Sequence, residues 1–147
     1  MTRAPTLRFL GGVGTVTGSK YLLTAAGRSL LLDCGLFQGL KALRLRNWEP
    51  FPFDPTGLSA VLLSHAHIDH SGALPLLARA GFRGPIHCTP GTQSLLDVLL
   101  RDSARLQEEE AGFANRHGYS KHRPALPLYT TQDAEAALRL ARPERYG

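Results

Sequence analysis

With 147 residues, 43% hydrophobic and 20% charged, the chain has the composition of a single soluble globular domain. It contains no apolar run near the ~20 residues a membrane helix needs, which excludes a helical membrane span and makes membrane partners unexpected. The net charge of +5 and pI near 9.7 suit a polyanionic partner, but fourteen of the seventeen basic residues are Arg amid many Ala, Leu and Gly, so charge alone is weak ground for nucleic-acid binding.

Residues 1–5 pass straight into a strand-like segment without an apolar leader, and the expected location is cytoplasmic. Cys34 and Cys88 lack the paired spacing of a zinc knuckle or a disulfide framework, which agrees with a reducing compartment. Residues 6–10, 19–25 and 29–33 read as three short strands of a β-meander, separated by a glycine-rich loop and an Ala26-Gly27-Arg28 turn. The glycine-rich loop, Gly11 to Gly18, lacks the Gly-Lys-Ser/Thr tripeptide of a phosphate loop and reads as an inter-strand turn.

Residues 47–55 hold three prolines, which remove backbone donors and exclude regular structure. Of the aromatics there, Trp48, Phe51 and Phe53, plugging a core edge is favoured over stacking bases. Residues 60–63, Ala-Val-Leu-Leu, form a wholly apolar strand of the type buried on both faces. A helix over 73–80 follows, with Pro75 in its first turn and Gly81 closing it.

Residues 85–88 predict another strand. Thr89 then caps a long helix with Pro90 at its first position, running to about Ala111 with Glu108-Glu109-Glu110 at its solvated end. Residues 116–123 read as a basic loop of solvating charge, and Thr130 three residues before Asp133 caps a last helix reaching Ala141. No repeat or linker divides the chain.

The chemistry concentrates in Ser64-His65-Ala66-His67-Ile68-Asp69-His70, directly after the buried strand. In an extended segment alternate side chains share a face, so His65, His67 and Asp69 are expected to point one way, with His70 at the turn into the helix. Imidazoles suit zinc, and a carboxylate both ligates and orients water. A polar turn with satisfied histidines is the plain alternative, and a structural zinc site would favour adjacent cysteines, which are absent. Two ions ~3.5–4 Å apart would supply a hydroxide nucleophile and stabilise the oxyanion of an ester or phosphodiester. Four side chains shared by two ions give each fewer than the about three protein ligands usual at catalytic zinc. His87, His117 and His122 are the remaining imidazoles, and none stands at a ligand spacing.

The run His65-Ala66-His67-Ile68-Asp69-His70 after Ala60-Val61-Leu62-Leu63-Ser64 resembles the H-x-H-x-D-H signature of the metallo-β-lactamase superfamily. That resemblance implies an α/β fold, the N-terminal part of an αββα sandwich. It implies that His65 and His67 bind one zinc and that Asp69 and His70 bind the other, with Asp69 also positioning the attacking hydroxide. Asp33 matches an earlier aspartate that supports the ligands. Gly14-Thr15-Val16-Thr17-Gly18-Ser19-Lys20-Tyr21 and Asp33-Cys34-Gly35-Leu36-Phe37-Gln38-Gly39 resemble the RNA-processing branch that carries a β-CASP insertion, as do Ser103-Ala104-Arg105-Leu106-Gln107-Glu108-Glu109 and Pro124-Ala125-Leu126-Pro127-Leu128-Tyr129.

By resemblance, residues 1–147 form one domain lacking a third metal-binding histidine, a bridging aspartate and the insertion. The expectation is a di-zinc phosphodiesterase acting on single-stranded RNA, with manganese as the alternative metal, completed by a homo-oligomer or a C-terminal segment. A thioesterase or lactonase shares the signature, and a non-catalytic metal-binding fragment would explain the ligand deficit.

Overall fold

The computed structural model describes residues 4–147; the extreme N-terminus read above for a leader lies in part outside them. One six-stranded sheet runs in chain order. Strands β1 (Thr6–Gly11), β2 (Lys20–Ala25) and β3 (Arg28–Leu32) are antiparallel, which bears out the meander. Ala26 and Gly27, both at positive φ, join β2 to β3 as a two-residue hairpin between the paired Ala25 and Arg28. Such a turn matches the strand twist, and Arg28 belongs to the strand. Parallel pairing then adds β4 (Ala60–Leu62), β5 (Ile86–Cys88) and β6 (Ala141–Pro143).

The register places Leu22, Leu31, Val61, Ile86 and Ala141 in one row across five strands, all buried. The first four share a core with Leu74, Leu77, Phe82, Leu96, Leu100, Tyr129 and Ala134. These come from helices α3 (Leu74–Arg79), α4 (Pro90–His117) and α5 (Thr131–Leu138) and the segments between them. The opposite sheet face carries Phe9 and Leu62, 61% and 40% exposed, so only one face of the sheet is covered by these helices, and β4 is not buried on both faces as its wholly apolar sequence suggested. Phe51 and Phe53 pack against the core as plugs, whereas Trp48 stays exposed.

Two short α-helices escaped the sequence pattern, and 3-10 turns at Arg46–Trp48 and Pro55–Gly57 reach into the two ends of the proline-rich segment expected to hold no regular structure. Helix α1 (Lys41–Leu45) buries none of its residues, so no apolar stripe betrays it, and α2 (Ile68–Ser71) is a single turn. Helix α4 continues past Ala111 to His117, where Gly118 closes it in the left-handed conformation. The acidic run therefore lies within the helix, and Glu108 accepts from the N–H and hydroxyl of Thr131 at 2.9 and 2.8 Å. The basic segment is a loop only after His117. Helix α5 has the expected capping box, Thr130 with Asp133, but ends at Leu138. Residues 141–143 leave the helix because their backbone pairs with β5 and Pro143 disfavours a helical Arg142.

Candidate metal centre

The centre is built where β3 and β4 end. Asp33 N–H donates to the Leu62 carbonyl at 3.0 Å, the last backbone bond between the two strands. The side chain then takes over: Asp33 Oδ1 accepts from Ser64 N–H at 2.8 Å and Oδ2 from Ser64 Oγ at 2.9 Å. Asp33 sits at φ +57°, a left-handed conformation that aspartate tolerates better than most residues, and this turns the chain beneath the histidines. Cys34 N–H donates to the His70 carbonyl, Leu36 N–H to that of Ile68, and Ala73 N–H to that of Cys34. Ser19 N–H donates to the Asp69 carbonyl and Gly35 N–H to that of Ser19.

These bonds lace three segments together so tightly that a Cβ on Gly35 would fall on the Asp69 carbonyl. The wholly buried Ser71 shares its hydroxyl proton between the Ala66 and His67 carbonyls, at 2.8 and 3.0 Å, and fixes the bend into α2. Asp69 therefore stands in the first turn of a helix, not in continued strand alternation as the sequence pattern suggested.

The cluster residues meet as two neighbouring pairs. His65 Nε2 lies 3.1 Å from His67 Nδ1, and His70 Nε2 lies 3.5 Å from Asp69 Oδ2. The His65 and His70 rings are 4.1 Å apart between centroids, so the pairs adjoin. Zinc–ligand bonds of ~2.0–2.1 Å at tetrahedral angles separate two ligand atoms by about 3.3 Å, close to both spacings. Each pair has the reach of two ligands on one ion. Among the described residues, no group of three or more His, Cys, Asp or Glu side chains is arranged to hold one metal ion.

Asp33 joins the pairs. Its Oδ2 accepts from His70 Nδ1 at 2.7 Å and from Ser19 Oγ at 3.2 Å, and it is buried. Because an ionised carboxylate only accepts, His70 carries its proton on Nδ1 and keeps the Nε2 lone pair for a metal. The remaining histidines stand elsewhere. His87 pairs with Glu144 at 2.6 Å, His117 with the Phe113 carbonyl, and His122 lies in the exposed loop.

Lys20 and the three serines, Ser19, Ser64 and Ser71, were not singled out by sequence reasoning. Lys20 is buried, donates to the Gly35 carbonyl and lies 4.5 Å from the Phe37 ring centre. Burial pulls its pKa down, against the opposing pull of the neighbouring Cys34. Desolvation pushes the Cys34 thiol up to about 12. Both residues brace the segment beneath the cluster, where a charged side chain between Ser19 and Tyr21 gave no periodic signal.

A sheet with its helices on one face and a histidine–aspartate cluster at the carboxyl ends of adjacent parallel strands defines a metallo-hydrolase-like α/β domain. Residues 13–140 match the metallo-beta-lactamase superfamily, and the chain belongs to it. It is similar to ribonuclease TTHA0252 of Thermus thermophilus, 42% identical over 137 residues that cover 93% of this chain and 27% of the relative. It is also similar to transcription termination factor FttA of Cenarchaeum symbiosum, 31% identical over 145 residues, covering 96% of this chain and 20% of that protein. Endoribonuclease YSH1 of Gibberella zeae is 34% identical over 131 residues, covering 84% and 14% respectively. The chain thus spans about a quarter of the first relative and a fifth or less of the others. The superfamily fold implies divalent metal binding, usually of zinc.

Proposed function

We propose that this chain contributes the first half of a di-zinc phosphodiesterase centre that cleaves single-stranded RNA. The observation that carries the proposal is the convergence of His65 with His67 and of Asp69 with His70 into adjoining pairs at ligand spacing. The ribonuclease and endoribonuclease names of the relatives support RNA as substrate, and the net charge of +5 accords with a polyanion. Manganese is the alternative metal. A cytoplasmic location suits the same reading. Two side chains per ion fall short of the about three that catalytic zinc takes, so the remaining ligands come from a further segment or a second copy of the chain.

When bound, such ions supply a water nucleophile at neutral pH and stabilise phosphoryl oxygens as Lewis acids. This chain does the rest through position. His65 and His67 hold one side of the centre by their Nε2 and Nδ1 atoms. His70 presents Nε2 because Asp33 holds its other nitrogen. Ser19 N–H fixes the Asp69 backbone through its carbonyl, and from there the Asp69 carboxylate would accept a hydrogen bond from the attacking water and aim its lone pair at phosphorus.

The test is cleavage of labelled RNA by the completed, zinc-loaded assembly. RNA hydrolysis that stops on chelation and falls at least about 100-fold in His67→Ala would support the reading. Hydrolysis of small thioesters with RNA left intact would replace it with the thioesterase reading. Unchanged RNA cleavage in His67→Ala would remove the catalytic role of the cluster.

A further inference from the structure

Ser64 stands between Asp33 and the first histidine of the cluster. Its Oγ lies 2.9 Å from Asp33 Oδ2 and 2.9 Å from His65 Nδ1. A serine hydroxyl has one proton to donate and lone pairs to accept with, while an ionised carboxylate only accepts. The Ser64 proton is therefore committed to Asp33, and the oxygen meets His65 Nδ1 as an acceptor. His65 must then carry its proton on Nδ1, leaving the Nε2 lone pair directed at the point it shares with His67 Nδ1. The reverse polarity would set a Ser64 lone pair against the carboxylate at 2.9 Å with no proton between them.

The same Asp33 oxygen accepts directly from His70 Nδ1. We propose, building on the metal reading above, that Ser64 is a positioning residue that extends the reach of Asp33. One carboxylate sets the tautomers of two imidazoles, His70 by direct contact and His65 through the Ser64 hydroxyl, so that each presents Nε2 to its own half-site. The serine is needed because β4 carries His65 past Asp33, and Ser64 is the side chain between them. Ser64 N–H also donates to Asp33 Oδ1 at 2.8 Å, a backbone contact that does not require the hydroxyl. Removing the side chain therefore breaks the relay while leaving this anchor in place.

The experiment is long-range nitrogen–proton NMR of the histidine rings in the metal-free chain near neutral pH, paired with zinc titration against a competing chelator. In the unaltered chain and in Ser64→Thr, His65 is expected to carry its proton on Nδ1. In Ser64→Ala it shifts to the Nε2–H form or a mixture, and zinc affinity falls 10- to 100-fold, the range for losing a hydrogen-bond partner of a ligand. Ser64→Thr restores both. The His70 tautomer stays unchanged in Ser64→Ala, because its contact with Asp33 is direct.

Protonation of His65 on Nε2 in the unaltered chain would overturn the proposal whatever the variants do. So would a His65 tautomer that Ser64→Ala leaves unmoved. Both readouts are taken without RNA or turnover, so failure of the ribonuclease reading and failure of this one are distinguishable.

Discussion

Asp33 Oδ2 and His70 Nδ1 lie 2.7 Å apart across 37 residues of sequence, and the same carboxylate holds Ser64 by both backbone and side chain. Asp33→Ala would leave these donors without their acceptor in a largely buried place. We expect a loss of about 3 kcal/mol of stability in urea denaturation and a 10- to 100-fold weaker zinc affinity. Asp33→Asn, which tolerates the left-handed backbone, should recover part of the stability and little of the affinity. Equal metal affinity in all three proteins would show that Asp33 supports the fold alone.

Gly35 lies where the chain beneath the cluster touches α2. In Gly35→Ala the new methyl group would overlap the Asp69 carbonyl, so the two segments must separate. The expected cost is at least about 3 kcal/mol, seen as a fall in melting temperature, with loss of zinc binding because Asp69 moves. Gly14→Ala is the control. Its Cβ would meet no atom, and its positive φ alone costs about 1 kcal/mol.

The Cys34 thiol, raised to about 12 by burial, should resist alkylation at pH 8 in the folded chain and react fully once urea unfolds it. The folded state holds this proton more tightly than the unfolded state. Its contribution is thus complete below the ordinary thiol range and is lost as pH rises from about 9 toward 12, by up to about 1.4 kcal/mol per pH unit. The stability gap between the unaltered chain and Cys34→Ala should narrow over that window. A constant gap in pH-dependent urea denaturation would contradict the shift.

Helices α4 and α5 offer a comparison between local and tertiary stabilisation. Thr130→Ala removes the hydroxyl of the capping box and should cost about 1 kcal/mol. Leu100→Ala empties a wholly buried position in α4 and should cost about 2–5 kcal/mol. Tyr129→Phe, which loses the 2.8 Å bond to Ser103, should fall near about 1 kcal/mol. Thermal denaturation of the three variants ranks them.

Much of the fold was legible because its signals are short-range. The all-apolar Ala60-Val61-Leu62 reads as an inner strand, although its Leu62 lies on the open face, and Thr89 with Pro90 marks the start of α4 by side-chain capping within one turn. Strand β6 was not legible. Ala141-Arg142-Pro143 has no strand alternation, and it becomes a strand only because β5 offers it an edge. The one-turn α2 was hidden as well, since it is held by Ser71 and by Leu36 and Cys34 from far along the chain.

For the centre, the sequence by itself determined which donor atoms are available: three imidazoles and a carboxylate within six residues, following a short apolar strand. Ligand chemistry and spacing are local properties, so no fold was needed to read them. The family signature already divided them into His65 with His67 and Asp69 with His70, and only the tertiary structure decided which ring nitrogen His65 and His70 present. That choice depends on which acceptor sits at the other nitrogen, and the acceptor, Asp33, arrives from 31 and 37 residues away through the parallel pairing of β3 with β4.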